Sequence, residues 1–133
     1  MSIENHVCSL EMSKKLAEAG WKKETEFWWI DRQDNVKNAR NKGFELCSEY
    51  DFAYYNRDAI KYPAPLATDI LEELPPAFKE DDYQISMEME NECFWCVMYT
   101  NVHTQTVDYE TKDKSFINAL TQMWLYLKQE KIL

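Results

Sequence analysis

Residues 83–100 read YQISMEMENECFWCVMYT, two apolar patterns separated by a polar pair. In residues 83–89 apolar and polar side chains alternate, which is typical of a strand with one buried face. Residues 93–99 form a nearly continuous apolar run, as expected for a central strand. Asn91 and Glu92 are predicted to turn the chain between these strands, and a third strand is expected over residues 104–109. The stretch therefore predicts a three-stranded antiparallel meander.

The end of the chain changes from alternation to helical spacing. Apolar residues recur at positions 116, 120, 123, 124 and 127. This spacing predicts a long helix over residues 113–131 that packs its apolar face on the sheet. Asp113 is the predicted N-cap, because a carboxylate there accepts hydrogen bonds from the first turn.

Two more helices are predicted upstream of the meander. Residues 8–19 carry an apolar stripe at helical spacing, with Ser9 as N-cap and Gly20 as the left-handed residue after the last turn. Pro65 suits the first turn of a second helix over residues 65–74.

The remaining pattern is extended or irregular. Residues 26–30 are rich in aromatic side chains that favour a strand. Residues 31–42 are predicted to be a loop, residues 43–62 one or two short strands, and the prolines of residues 62–65 a break. The fold class is therefore α+β. We expect a single domain over residues 1–133 whose antiparallel sheet is packed by an N-terminal, a short middle and a long C-terminal helix.

Composition is typical of a globular cytoplasmic protein. Of the 133 residues, 45% are hydrophobic and 14% aromatic, which is too apolar for a disordered chain. No apolar run approaches the roughly 20 residues that cross a bilayer, and the N-terminus does not resemble a signal peptide. We expect a cytoplasmic protein with no membrane contact, whose four cysteines are reduced thiols.

The negative charge is concentrated in the middle of the chain. Net charge is −9, yet residues 43–92 alone carry thirteen acidic and three basic side chains. Such a charge disfavours direct nucleic-acid binding and favours a basic host protein as partner. Glu80, Asp81 and Asp82 are the predicted partner-binding residues in this segment. The alternative is a solvated acidic face that serves solubility.

Cysteine and histidine form no recognisable catalytic or metal pattern. Cys93 and Cys96 have the C-x-x-C spacing of zinc and redox sites, but residues three apart on a strand point to opposite faces. We predict that both are buried as small apolar side chains. His6 and His103, the only histidines, are predicted to be exposed. We therefore expect no catalytic residue, no metal site and no cofactor.

Adjacent tryptophans provide a second candidate surface. Trp28 and Trp29 point to opposite faces of the predicted strand. Either both faces are covered or one indole is exposed. An exposed indole, together with Tyr54 and Tyr55, would anchor a partner or ligand. The alternative is packing in the core, with one residue at its rim.

Three segments, in this order, resemble a known group of proteins. They are SLEMSKKL at residues 9–16, APLATDILEELP at residues 64–75 and LYLKQEKIL at residues 125–133. The set resembles small proteins encoded by bacterial phages and prophages, a family to which no activity is assigned. The resemblance implies a genomic context and no site residues.

These observations lead to hypotheses from different classes. The first is a non-enzymatic phage-type accessory protein that acts through protein contacts, one version being an acidic inhibitor or decoy of a basic nucleic-acid-binding protein. The second is a small-ligand or nucleotide-binding module that uses the tryptophan-rich sheet. The third is an enzyme with a site assembled from Asp, Glu and Tyr.

Overall fold

The computed structural model describes residues 3–31, 44–48 and 60–133, and the chain divides into two compact units, Met1–Leu66 and Ala67–Leu133. The α+β class is confirmed, with two antiparallel sheets instead of one. That both units belong to a single domain stays a prediction. Sequence predictions for residues 32–43 and 49–59 lie outside the described residues. None of the helices in the described part is long and apolar enough to span a membrane.

The described part of the first unit has two helical segments and three strands. These are a short 3-10 helix (Ile3–Asn5), α1 (Leu10–Glu18), β1 (Phe27–Asp31), β2 (Phe44–Ser48) and β3 (Lys61–Pro63). The strands form an antiparallel sheet in the order β2-β1-β3. The aromatic strand β1 is therefore the central one.

Helix α1 has the predicted caps. Ser9 Oγ accepts a hydrogen bond from the N–H of Met12 at 3.3 Å. Gly20 has φ of 91°, a left-handed conformation that glycine adopts without steric cost. The N–H of Trp21 donates to the C=O of Leu16 at 3.0 Å, so the chain folds back on the last turn.

Strand β1 is covered on both faces. Trp29 and Ile30, which point to opposite faces, are 3% and 2% exposed. Trp29 packs in a cluster with Val7 and Ala64. Its Nε1 donates to the C=O of Cys8 at 2.9 Å, so the buried indole N–H is satisfied. Trp29 is thus a structural anchor of this unit.

Two predictions based on proline need correction. Pro63 ends the strand β3, where an edge position tolerates the missing N–H and the residue before proline is extended in any case. Leu66 forms a β-bridge with Val7. The next helix therefore begins at Ala67 and not at Pro65.

The second unit is a four-stranded sheet with two helices. Its strands form one antiparallel sheet in chain order, β4-β5-β6-β7. The predicted meander is confirmed as β5-β6-β7, whereas no sequence pattern indicates β4. The elements are α2 (Ala67–Glu73), β4 (Ala77–Phe78), β5 (Tyr83–Glu90), β6 (Phe94–Asn101), β7 (Val107–Asp113) and α3 (Phe116–Gln129).

The two turns of the meander differ from prediction in detail. Asn91 and Glu92 have φ of 53° and 58°, the positive values that tight hairpin turns use. Cys93 belongs to this turn and is exposed, so the prediction that it is buried is wrong. The next turn covers residues 102–104, and β7 begins at Val107 rather than at residue 104.

Helix α3 packs on the sheet as predicted. The rings of Trp95 on β6 and Phe116 have centroids 4.8 Å apart. Thr111 Oγ1 on β7 donates to the C=O of Ala119 at 2.7 Å. Tyr99, on the same face of β6 as Trp95, is fully buried. On this face, the helix therefore covers β6 and β7.

Ser115, and not Asp113, caps α3. Ser115 Oγ accepts from the N–H of Asn118 at 3.3 Å. Asp113 is still the last residue of β7, and its carboxylate accepts from the N–H of Ser115 at 2.8 Å and from Gln122 Nε2 at 2.9 Å. Asp113 thus stabilises the bend before the helix instead of the first helical turn.

Candidate functional site

The turn that joins β4 to β5, residues 79–82, carries the predicted acidic residues. Lys79, Glu80 and Asp81 have φ of 53°, 58° and 67°. Residues other than glycine enter this left-handed region at a cost of roughly 1–2 kcal/mol each, so neighbouring contacts must stabilise the turn. Glu80 and Asp81 are exposed, and neither has an ion-pair partner among the described residues. We refer to residues 79–82 as the acidic turn.

Asp82 connects the acidic turn to the turn between β6 and β7. Its Oδ1 lies 2.8 Å from His103 Nε2. Its C=O accepts a hydrogen bond from the N–H of Val102 at 2.8 Å. His103 is exposed, as predicted. These contacts hold one end of the acidic turn.

Lys79 holds the other end through aromatic rings. Its Nζ donates to Tyr109 Oη at 3.2 Å and lies 5.3 Å from the ring centroid of Tyr83 and 5.7 Å from that of Tyr109. This places the ammonium within cation–π range of both rings. The hydrogen bond with Tyr109 raises the pKa of Lys79, so the side chain stays charged. The positive charge in the acidic turn is therefore directed toward the rings.

Five aromatic rings pack at the base of the acidic turn. Phe78 stacks on Tyr83 with centroids 5.0 Å apart and meets Tyr99 and Tyr109 edge-on at 4.8 and 5.4 Å. Tyr109 contacts Tyr126 of α3 at 5.5 Å. Such ring pairs contribute about 0.5–1.5 kcal/mol each beyond the area that they bury. The aromatic cluster gives the acidic turn a rigid support.

Two hydroxyl groups of this aromatic cluster also donate hydrogen bonds. Tyr83 Oη donates to Asp108 Oδ2 at 2.8 Å, which adds another carboxylate near the acidic turn. Tyr99 Oη donates to the C=O of Pro75 at 2.7 Å, and burial raises the pKa of Tyr99. Tyr99 therefore stays protonated and acts structurally.

A second polar cluster lies on the face of the sheet opposite α3. Lys112 Nζ lies 2.7 Å from Glu90 and 3.1 Å from Glu110. Cys96 Sγ donates to Glu90 Oε2 at 3.1 Å. Hydrogen bonds from Lys112 and then from Cys96 lower the pKa of Glu90, while burial raises the pKa of Cys96. The thiol stays protonated at neutral pH, so this cluster is a structural network and offers no thiolate nucleophile.

The structure separates the two predicted tryptophans. Trp29 is in the core of the first unit, whereas Trp28 is half-buried. The Nζ of Lys61 lies 4.7 Å from the ring centroid of Trp28. Of this pair, Trp28 alone retains indole surface that a partner can reach. Tyr54 and Tyr55, predicted to join this surface, lie outside the described residues.

Four residues that shape the acidic turn are absent from the predicted site residues: Lys79, Tyr83, Asp108 and Tyr109. A third strand over residues 104–109 would place Tyr109 at the opposite end of the meander from Tyr83. Because β7 begins at Val107, Tyr109 instead pairs with Tyr99 and meets Tyr83 at 5.5 Å. The sequence signal for this cluster is one tyrosine in each strand, Tyr83, Tyr99 and Tyr109, but their meeting depends on the correct boundary of β7.

The acidic turn has no counterpart that would assign its function. Comparison with protein-family models, with curated proteins and with solved structures finds no match for this chain. Within the described residues, no group of three or more His, Cys, Asp or Glu side chains is placed to hold a metal ion. The function is therefore inferred from the geometry and charge of the site.

Proposed function

We propose that this protein is a non-enzymatic accessory protein, of the kind that phages and prophages encode, and that it binds a basic protein through Glu80, Asp81 and Asp82. A nucleic-acid-binding protein of the host fits this role, because its basic surface recognises a polyanion. The bound accessory protein would occupy that surface as an inhibitor or decoy.

The observation that supports this proposal is an exposed acidic pair on a turn that is held at both ends. Lys79 is bonded to the aromatic cluster, and Asp82 to the next turn. Glu80 and Asp81 between them are exposed. A preformed turn loses less conformational freedom on binding than a free loop would. Charges presented in this way mainly increase association rate and specificity.

The small-ligand alternative has less support. Its tryptophan-rich surface depended on Trp28 and Trp29. Trp29 is buried in the core, and a lysine ammonium already lies over the ring of Trp28. The described part of the first sheet shows no other feature that favours a ligand.

The experiment begins with capture of partners from a bacterial lysate on the immobilised protein and their identification by mass spectrometry. The association rate of a purified basic partner is then measured at increasing salt. Reversal of the three acids (Glu80→Lys, Asp81→Lys, Asp82→Lys) should slow association by roughly tenfold or more, because steering by charge is lost. Salt should slow the unaltered protein more than this variant.

A matched control changes the net charge equally at another place. Glu11, Glu18 and Glu24 are exposed residues of the first unit, and their reversal to Lys adds the same charge. This control should keep most of the association rate. An equal loss in both variants would mean that total charge alone matters. An unchanged rate in the acidic-turn variant would contradict the proposal.

A further inference from the structure

The last part of β5 has an open edge within the described part of the chain. Strand β4 pairs only with the first two residues of β5. The N–H of Ile85 makes the final hydrogen bond on that side, to the C=O of Pro76 at 3.1 Å. Peptide groups alternate in direction along a strand, so those of Met87 and Met89 point the same way as those of Ile85, away from β6. We refer to residues 85–90 as the β5 edge.

One face of the β5 edge is apolar. Met87 and Met89 are 38% and 48% exposed, although they lie on the sheet face that α3 covers elsewhere. Met89 pairs with Trp95, which packs against that helix. The apolar face therefore continues past the helix to the open edge. Methionine adapts to many apolar partners because its side chain is flexible and polarisable.

The other face is acidic. Residues 83–92 contain three glutamates and no basic residue. Glu90 is paired with Lys112. Glu88 is exposed and has no ion-pair partner among the described residues. This face therefore offers a carboxylate to a basic side chain from outside.

The opposite edge of the same sheet is formed differently. Along β7, the exposed lysine Lys112 lies on the strand, and the pairing with β6 shifts register next to Tyr99 and Thr100. Lysine side chains, proline and bulges are usual means by which proteins prevent pairing at an edge. The β5 edge has no lysine, no proline and a regular pairing with β6. An open strand with pockets or patches for alternate side chains is the surface that strand addition uses.

We infer that the β5 edge binds an extended segment of a partner protein as an added strand, and that this segment alternates basic and apolar side chains. The segment hydrogen-bonds the peptide groups of Met87 and Met89, with its apolar residues beside the methionines and its basic residues beside Glu88. A second copy fits less well, because pairing β5 with itself puts Glu88 and Glu90 of both copies on one face. This surface is separate from the acidic turn, so the inference goes beyond the proposed function and does not require it.

The test uses a short synthetic peptide that alternates lysine and valine, with binding to the full chain measured by calorimetry. Met87→Pro removes an N–H that points away from β6, so the hydrogen bonds between β5 and β6 are kept. This variant should bind the peptide roughly tenfold more weakly, because backbone hydrogen bonds are lost. Its melting temperature should stay near that of the unaltered protein.

A modified peptide tests the same point without altering the protein. Methylation of alternate backbone nitrogens of the peptide keeps its charge and side chains but prevents it from adding to a sheet. The unaltered protein should therefore not bind the methylated peptide. This result does not depend on whether Met87→Pro folds. Equal binding of the methylated peptide would overturn the inference. So would a dimer of the unaltered protein, seen by ultracentrifugation, that Met87→Pro dissociates, because a second copy would then be the occupant.

The acidic-turn variant separates this inference from the proposed function. Glu80→Lys, Asp81→Lys and Asp82→Lys should leave most of the peptide affinity, since the β5 edge is unchanged. Loss of binding in that variant combined with full binding by Met87→Pro would overturn the inference and leave the proposed function standing.

Discussion

Strands β1 and β5 are both rich in apolar side chains, yet they have opposite surroundings. β1 lies between two strands, and Trp29 and Ile30 on its two faces are buried. Within the described residues, β6 pairs with β5 along its full length, whereas on the other side β4 pairs with only two residues of β5. Met87 and Met89 on β5 are exposed. An apolar pattern thus favours a strand, whereas burial depends on which elements cover it.

The largest expected effect is in β1. Trp29→Ala should lower the free energy of unfolding by about 3–5 kcal/mol, because it leaves a cavity and removes the donor to the C=O of Cys8. Urea unfolding followed by circular dichroism measures this loss. Trp28→Ala is the matched control and should cost clearly less, since Trp28 is half-buried. Equal losses would contradict the burial difference between the two indoles.

A smaller effect is expected for the polar face of β5. The pKa of Glu90 is lowered by hydrogen bonds from Lys112 and Cys96. Its contribution to stability is therefore present above the ordinary pKa of 4.5 and is lost as pH falls through the lower folded pKa. Glu90→Gln should flatten the acid-side decline of stability below about pH 4.5. The effect is limited because Glu90 and Lys112 are solvent-screened.

Unfolding curves at neutral and acidic pH test this prediction. Glu88→Gln is the control, because Glu88 lies on the same strand face without an ion-pair partner in the described residues. High salt should reduce the difference between the two variants. Parallel pH profiles for the unaltered protein and Glu90→Gln would rule out a stabilising role for Glu90.

The smallest effect is expected at the β5 edge. Met87→Ala should change the free energy of unfolding by only about 0.5 kcal/mol, because an exposed side chain leaves no cavity. The same urea experiment as for Trp29→Ala provides the comparison. A loss of several kcal/mol would mean that Met87 is covered in solution, and the contrast between β1 and β5 would fail.

Local patterns explain what could be predicted of the fold. Ser9 and Gly20 cap α1 as expected, and Asn91 with Glu92 turns the hairpin, because each depends on a few adjacent residues. The sequence pattern predicts the cap of α3 at Asp113, because it does not show where β7 ends. Because β7 continues through Asp113, Ser115 is the residue that caps α3.

The candidate site was only half predictable. Glu80, Asp81 and Asp82 are visible as a run of charge in the sequence. The contact of Lys79 with Tyr109 is not visible, because β4 and β7 are the two outer strands and only the folded sheet brings these two residues together. Contacts across a sheet depend on strand register, and a small shift changes which side chains meet.

The sequence by itself determined the α+β class, the meander, the caps of α1 and the charge of the acidic turn. Each follows from residue type and spacing over a few positions, where backbone preference and side-chain periodicity act. Only the tertiary structure decided that Trp29 and not Trp28 is buried, that Lys79 lies over tyrosine rings and that the β5 edge has no pairing strand among the described residues. Burial and pairing depend on residues far apart in the chain, whose positions no local pattern contains.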